Sequence, residues 1–96
     1  MIRHIVMVKL PEAIRAEAQS KIVEGMAPLP GKLSEIKYMD VGTNISRSPK
    51  AHDVAIVLDF EDEAGLGVFA ADPDHKEVVT YIRSKAESIS IVDYVI

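Results

Sequence analysis

The period of the hydrophobic pattern changes repeatedly along the chain, and the order of those changes limits the possible folds more than any other feature. Ile2 to Lys9 is rich in β-branched residues and alternates as a strand does, with Ile2, His4, Val6 and Val8 on one face and Arg3, Ile5, Met7 and Lys9 on the other. From Pro11 to about Ala27 the spacing lengthens. Ile14, Ala18, Ile22 and Met26 recur every four residues, while Arg15, Glu17, Lys21 and Glu24 take the wet side of a helix. Pro11 suits its first turn, and Pro28-Leu29-Pro30-Gly31 stops it. Leu33 to Val41 is predicted as a second strand, with Ile36 and Tyr38 on one face and Leu33, Met39 and Val41 on the other; its charges point to an edge. Asp53 to Phe60 is apolar on both faces and so central. Asp62 to Ala71 is a weak helix, because Gly65 and Gly67 each cost about 1 kcal/mol relative to Ala. Asp72 as N-cap and Pro73 as first helical residue then open a better one, along which His75, Val78, Val79, Ile82 and Ala86 follow helical spacing. Ile89 to Val95 is the last strand.

The order β-α-β-β-α-β, its second α split into two consecutive helices, predicts an α+β fold: a ferredoxin-like four-stranded antiparallel sheet covered on one face. Residues 1–96 are expected to form a single domain. The bare face would expose Ile5, Met7, Ala55 and Val57. An apolar patch of that kind usually marks an interface, so a homodimer packed through the open sheet face is expected. Composition points the same way. With 22 Val plus Ile, 2 Phe and no Trp in 96 residues, the chain has more aliphatic surface than so small a monomer readily buries.

Charge and composition remove several function classes. The formal charge of −4 and the lack of a basic stripe exclude nucleic acid as a partner. The absence of cysteine removes thiol nucleophiles, disulfides and cysteine-ligated zinc. Aliphatic runs such as Val54-Ala55-Ile56-Val57-Leu58 are too short to span a membrane, and a strand starting at Ile2 leaves no room for a signal peptide, so a cytoplasmic location is expected. No phosphate cradle follows Gly42 and Asn44, Ser84, Ser88 and Ser90 lack a nucleophile elbow, and no His-x-x-x-His spacing suggests a metal. No cofactor is expected.

His75 is the most informative residue, since its place in the apolar series points it inward. Two readings stand side by side. In one, Asp72 caps the His75 N–H and the ring plugs the space between helix and sheet. In the other, the ring is a general acid or base in a semi-buried cavity. His4 shares a strand face with Val6 and Val8, so both imidazoles can converge on one pocket. There one ring could remove a proton next to a carbonyl while the other polarises the enolate oxygen. His52 is read as a solvated loop residue.

Six stretches in order resemble the stress-responsive α/β-barrel (Dabb) family: Arg3-His4-Ile5-Val6-Met7-Val8-Lys9-Leu10, Leu29-Pro30-Gly31, Val41-Gly42-Thr43-Asn44, Asp53-Val54-Ala55 through Phe60-Glu61-Asp62, Asp72-Pro73-Asp74-His75, and Val92-Asp93-Tyr94. The resemblance implies a ferredoxin-like domain that dimerises into an α/β barrel. Some plant members of the family are polyketide cyclases, whose turn reads Tyr-x-x-His-Pro-x-His. In this register His75 carries over, but Phe69 lacks the hydroxyl, Asp72 replaces the first histidine, and the third-strand histidine falls on Val54. The expected site therefore has His75 and His4 as candidate catalytic groups and Val54, Phe69 and Val79 as the walls of a cavity for a small apolar ligand. The alternative is a cyclase, lyase or isomerase acting on a carbonyl compound.

Overall fold

The computed structural model describes residues 1–96. Strands β1 (Ile2–Lys9), β2 (Ile36–Thr43), β3 (Val54–Phe60) and β4 (Ser88–Val95) form one antiparallel sheet in the order β2-β3-β1-β4. Helices α1 (Arg15–Met26), α2 (Leu29–Lys32), α3 (Glu63–Ala71) and α4 (Pro73–Lys85) complete the ferredoxin-like α+β arrangement. None is long and apolar enough to cross a membrane.

The buried core lies between the helices and one sheet face. Val8 from β1 and Val54, Ile56, Leu58 and Phe60 from β3 meet Ala18, Ile22 and Met26 of α1, Phe69 of α3, and Val78 and Ile82 of α4. The strand alternation and the four-residue spacing of α1 thus place Val8, Ala18, Ile22 and Met26 in the core, with Val6 and Ile14 partly buried against them. Both later helices are capped by acids: Asp62 Oδ1 accepts from Gly65 N–H at 2.9 Å, and Asp72 Oδ2 accepts from His75 N–H at 3.0 Å. The first cap helps offset the two glycines of α3.

Several expectations need correction. Pro11 precedes a 3-10 turn, Glu12–Ile14, and the α-helix proper starts at Arg15. The proline cluster does end α1, but Leu29–Lys32 makes a further helical turn, so β2 begins at Ile36 rather than Leu33. Within β2, Ile36 and Tyr38 do not share a face. Ile36 pairs with Phe60 and Tyr38 with the very next residue, Asp59, so Lys37 is the extra residue of a bulge. This shifts the phase: Ile36 joins Met39 and Val41 against the core, while Tyr38 turns out and is half exposed.

His52 is not a freely solvated loop residue. It is half-buried, and its Nε2 is sealed from solvent without a hydrogen-bond partner. The cause is its neighbour. Asp53 N–H donates to Val8 O at 2.7 Å, and the Asp53 carboxylate takes the Leu10 N–H at 2.7 Å and lies 2.9 Å from Arg15 Nε. The Asp53 carbonyl accepts from Gln19 Nε2 and Asn44 N, both at 2.9 Å. These bonds draw His52 in with Asp53.

The face away from the helices exposes Met7, Ala55, Val92 and Tyr94, with Ile5 and Val57 partly covered between them. Its one buried acid, Asp59, is gripped by Arg3 through two hydrogen bonds of 2.8 Å. This pairing holds the Asp59 carboxyl below its ordinary range.

Candidate functional site

A cavity of about 660 Å³ opens between the sheet and α3–α4. Its floor is the helix-facing side of β1 and β3, through His4, Val6, Ile56 and Leu58. Phe69, His75, Val79 and Ile82 close it from the helices, and Ile89 and Ile91 of β4 form an apolar side wall. Eleven of its sixteen lining residues are hydrophobic, so the few polar groups decide its chemistry.

His4 and His75 both face this cavity, and the Phe69 ring touches each. Phe69 stacks on His75 at a centroid distance of 3.8 Å and meets His4 edge to face at 6.1 Å. Strand alternation puts His4 on the helix side. The Asp72 cap fixes the first turn of α4 and so aims His75 back at the sheet. Phe69 and Val79 stand in the lining as expected, but Val54 does not. It is a fully packed core residue paired with Val8 at the far end of β3, and the cavity floor runs instead through Ile56 and Leu58, two and four residues further along the same face.

The two imidazoles differ in their surroundings. His4 Nδ1 is hydrogen-bonded to the Asp93 carboxylate, its direct partner across the β1–β4 pair. A carboxylate only accepts, so Nδ1 carries the proton and Nε2 of the neutral ring keeps a lone pair. His75 has no such partner: its Nδ1 is buried and makes no hydrogen bond of good geometry. Burial pushes the His75 pKa below the ordinary imidazole value, with His4 adding to the lowering and the Phe69 and Ala70 carbonyls and Asp72 opposing it. With Nδ1 sealed, His75 must exchange protons with the cavity through Nε2. The arrangement therefore offers an oriented base and a neutral second imidazole in an apolar space.

The sequence pattern around Val92-Asp93-Tyr94 assigns Asp93 no role of its own. The signal was present: alternation puts Asp93 on the same face of β4 as Ile89 and Ile91, and antiparallel pairing sets it opposite His4. No group of three or more His, Asp or Glu side chains is placed to hold a metal ion.

The sequence matches the stress responsive A/B barrel domain over residues 2–96. The chain belongs to that family. A Streptomyces coelicolor relative described as an uncharacterized protein is 30% identical over 96 residues, covering 98% of each chain. Among solved structures, a dimeric Bacteroides fragilis protein of unknown function with a ferredoxin-like fold superposes with a TM-score of 0.89 at 25% identity, covering 99% of this chain and 95% of that one. The Passiflora edulis hydroxynitrile lyase superposes with a TM-score of 0.84 at 20% identity, covering 99% and 92%. That last likeness is one of fold alone. For this A/B barrel domain, the function must be argued from the cavity.

Proposed function

We propose that this A/B barrel protein is a homodimer in which each sheet–helix cavity binds a small, largely apolar molecule. The observation that carries the reading is the cavity: at about 660 Å³ it is large enough for a ligand, and aliphatic and aromatic side chains dominate its walls. Ligand pockets typically measure about 300–1,000 Å³. Titration of isotope-labelled protein with a panel of β-keto esters should move the NMR signals of Phe69, Val79 and Ile91 together. Shifts scattered over the surface, or none at saturating ligand, would overturn the reading.

The homodimer is supported by the apolar open face and by the description of the Bacteroides fragilis protein as dimeric. Sheet-to-sheet packing would cover Ile5, Met7, Val57 and Val92 at once and close the two sheets into a barrel. Light scattering should give twice the 10.5 kDa chain mass. Met7→Glu should return it to the single-chain value without loss of helical signal. A wild-type monomer at micromolar concentration would remove this part of the proposal.

A second reading, acid–base catalysis on a carbonyl compound, is favoured by one observation: Asp93 holds His4 in the tautomer a base requires. The proton on the carbon next to the carbonyl would pass to His4 Nε2, the C–H electrons would move into the enolate, and His75 Nε2–H would hydrogen-bond the enolate oxygen. Phe69 has no hydroxyl to contribute, so the two rings would carry the chemistry. Deuterium exchange at the α-carbon of a β-keto ester should be accelerated by wild type and reduced about 10²–10⁴-fold in His4→Gln and His75→Gln. Equal exchange rates with and without protein would leave binding as the function.

A further inference from the structure

The cavity mouth carries two cations with nothing to neutralise them. Lys76 and Arg83 both line the cavity from α4, and both are exposed. The chain's ion pairs involve Arg3, His4, Arg15, Lys21 and Lys32, and neither Lys76 nor Arg83 is among them. Neither side chain donates a hydrogen bond to another protein group, although acids outnumber bases 15 to 11 in this chain. No Asp or Glu lines the cavity.

The two cations stand seven residues apart on α4, about 10.5 Å along its axis. Thr80 lies between them in the lining, its hydroxyl already donating to the Lys76 carbonyl at 2.9 Å, so a ligand's negative charge there falls to the two cations. Long flexible stems let both charged ends reach a group held near Thr80 from opposite sides. The rest of the lining includes the buried Phe69, the half-buried Val79 and the exposed Ile91, which an apolar body would cover. Positive charge at the mouth and grease behind it select for amphiphiles.

We propose that the cavity prefers ligands with a single carboxylate, the apolar body lying against Phe69 and Ile91 and the carboxylate held at the mouth by Lys76 and Arg83. This rests on the cavity's being a ligand site. A planar carboxylate suits the fork of Arg83, and Lys76 adds a second positive charge from the same helix. A ligand with both a ketone and a carboxylate would place the ketone towards His4 and His75 and its anionic end outward.

Isothermal titration with decanoate and 1-decanol, which share a tail and differ in the head, tests the proposal on the intact protein. Decanoate should bind about ten-fold more tightly at low salt, a margin of about 1.4 kcal/mol, and lose that margin as salt rises. In Lys76→Gln/Arg83→Gln the preference should vanish while decanol affinity stays the same. Equal wild-type affinities for the two ligands would overturn the carboxylate preference and leave the apolar site standing. So would a preference that survives in the double variant. Failure of both ligands to bind would overturn the cavity reading itself, and this inference with it.

Discussion

Phe69 lies flat against His75, their ring centres 3.8 Å apart and their planes 30° from parallel. The contact joins α3 to the first turn of α4, and Phe69 also packs on Phe60 at 5.2 Å. One ring thus ties the core to the cavity wall. Phe69→Ala should cost about 3–5 kcal/mol in urea unfolding, the range for emptying a buried aromatic site. His75→Ala should cost about 1–3 kcal/mol, and His75→Gln less, because it keeps volume and a polar end.

The lowered pKa of His75 makes stability depend on pH in a fixed direction. Its folded-state value lies below its unfolded value, so the unfolded chain binds more protons in the window between them. The contribution is complete above the unfolded value, near pH 6.5, and is lost as pH falls through the folded value. Melting temperatures measured from pH 8 down to pH 5 should fall for wild type. In His75→Gln the slope should be shallower.

Asp93 sets the tautomer of His4, and this can be observed without any substrate. In neutral wild-type protein, imidazole ¹⁵N shifts should show the proton of His4 on Nδ1. Asp93→Val removes the acceptor, and the Nε2–H form preferred by free histidine should take over. A wild-type His4 protonated on Nε2 would contradict the hydrogen bond on which the catalytic reading depends.

Gly25 of α1 packs directly against Val78 of α4. A Cβ there would sit 2.9 Å from Val78 Cγ2, closer than real side chains come. In an exposed helix Gly→Ala would gain about 1 kcal/mol, but here overpacking should reverse the sign, for a net loss of about 1–2 kcal/mol. Val78→Ala in the same chain should recover part of it. A double-mutant cycle on chemical denaturation would measure the coupling.

The parts of this molecule legible in its sequence are those governed by nearby residues. The buried series Ala18, Ile22 and Met26, the cap of Asp72 on His75, and the two-sided apolarity of β3 follow from local periodicity. What was not legible depends on pairings between distant segments. Lys37 breaks the phase of β2 because of its register with β3, which no pattern within Leu33 to Val41 displays. Asp93 acquires its role only once β4 is set beside β1, and His52 its half-burial only once Asp53 reaches Leu10, Arg15 and Gln19. Family register points to Val54 as a cavity wall. The face was right, but the depth along the strand was not.

The strand order β2-β3-β1-β4 also governs how the chain is assembled. Strand β1, Ile2–Lys9, sits inside the sheet, and its two neighbours begin far along the chain, at Val54 and Ser88. A nascent chain stopped before Ser88 therefore holds β1 with one ladder unmade and His4 without Asp93. Such long closures slow folding relative to helical domains of equal size. They also mean that the His4–Asp93 half of the site comes into being only with the event that completes the sheet.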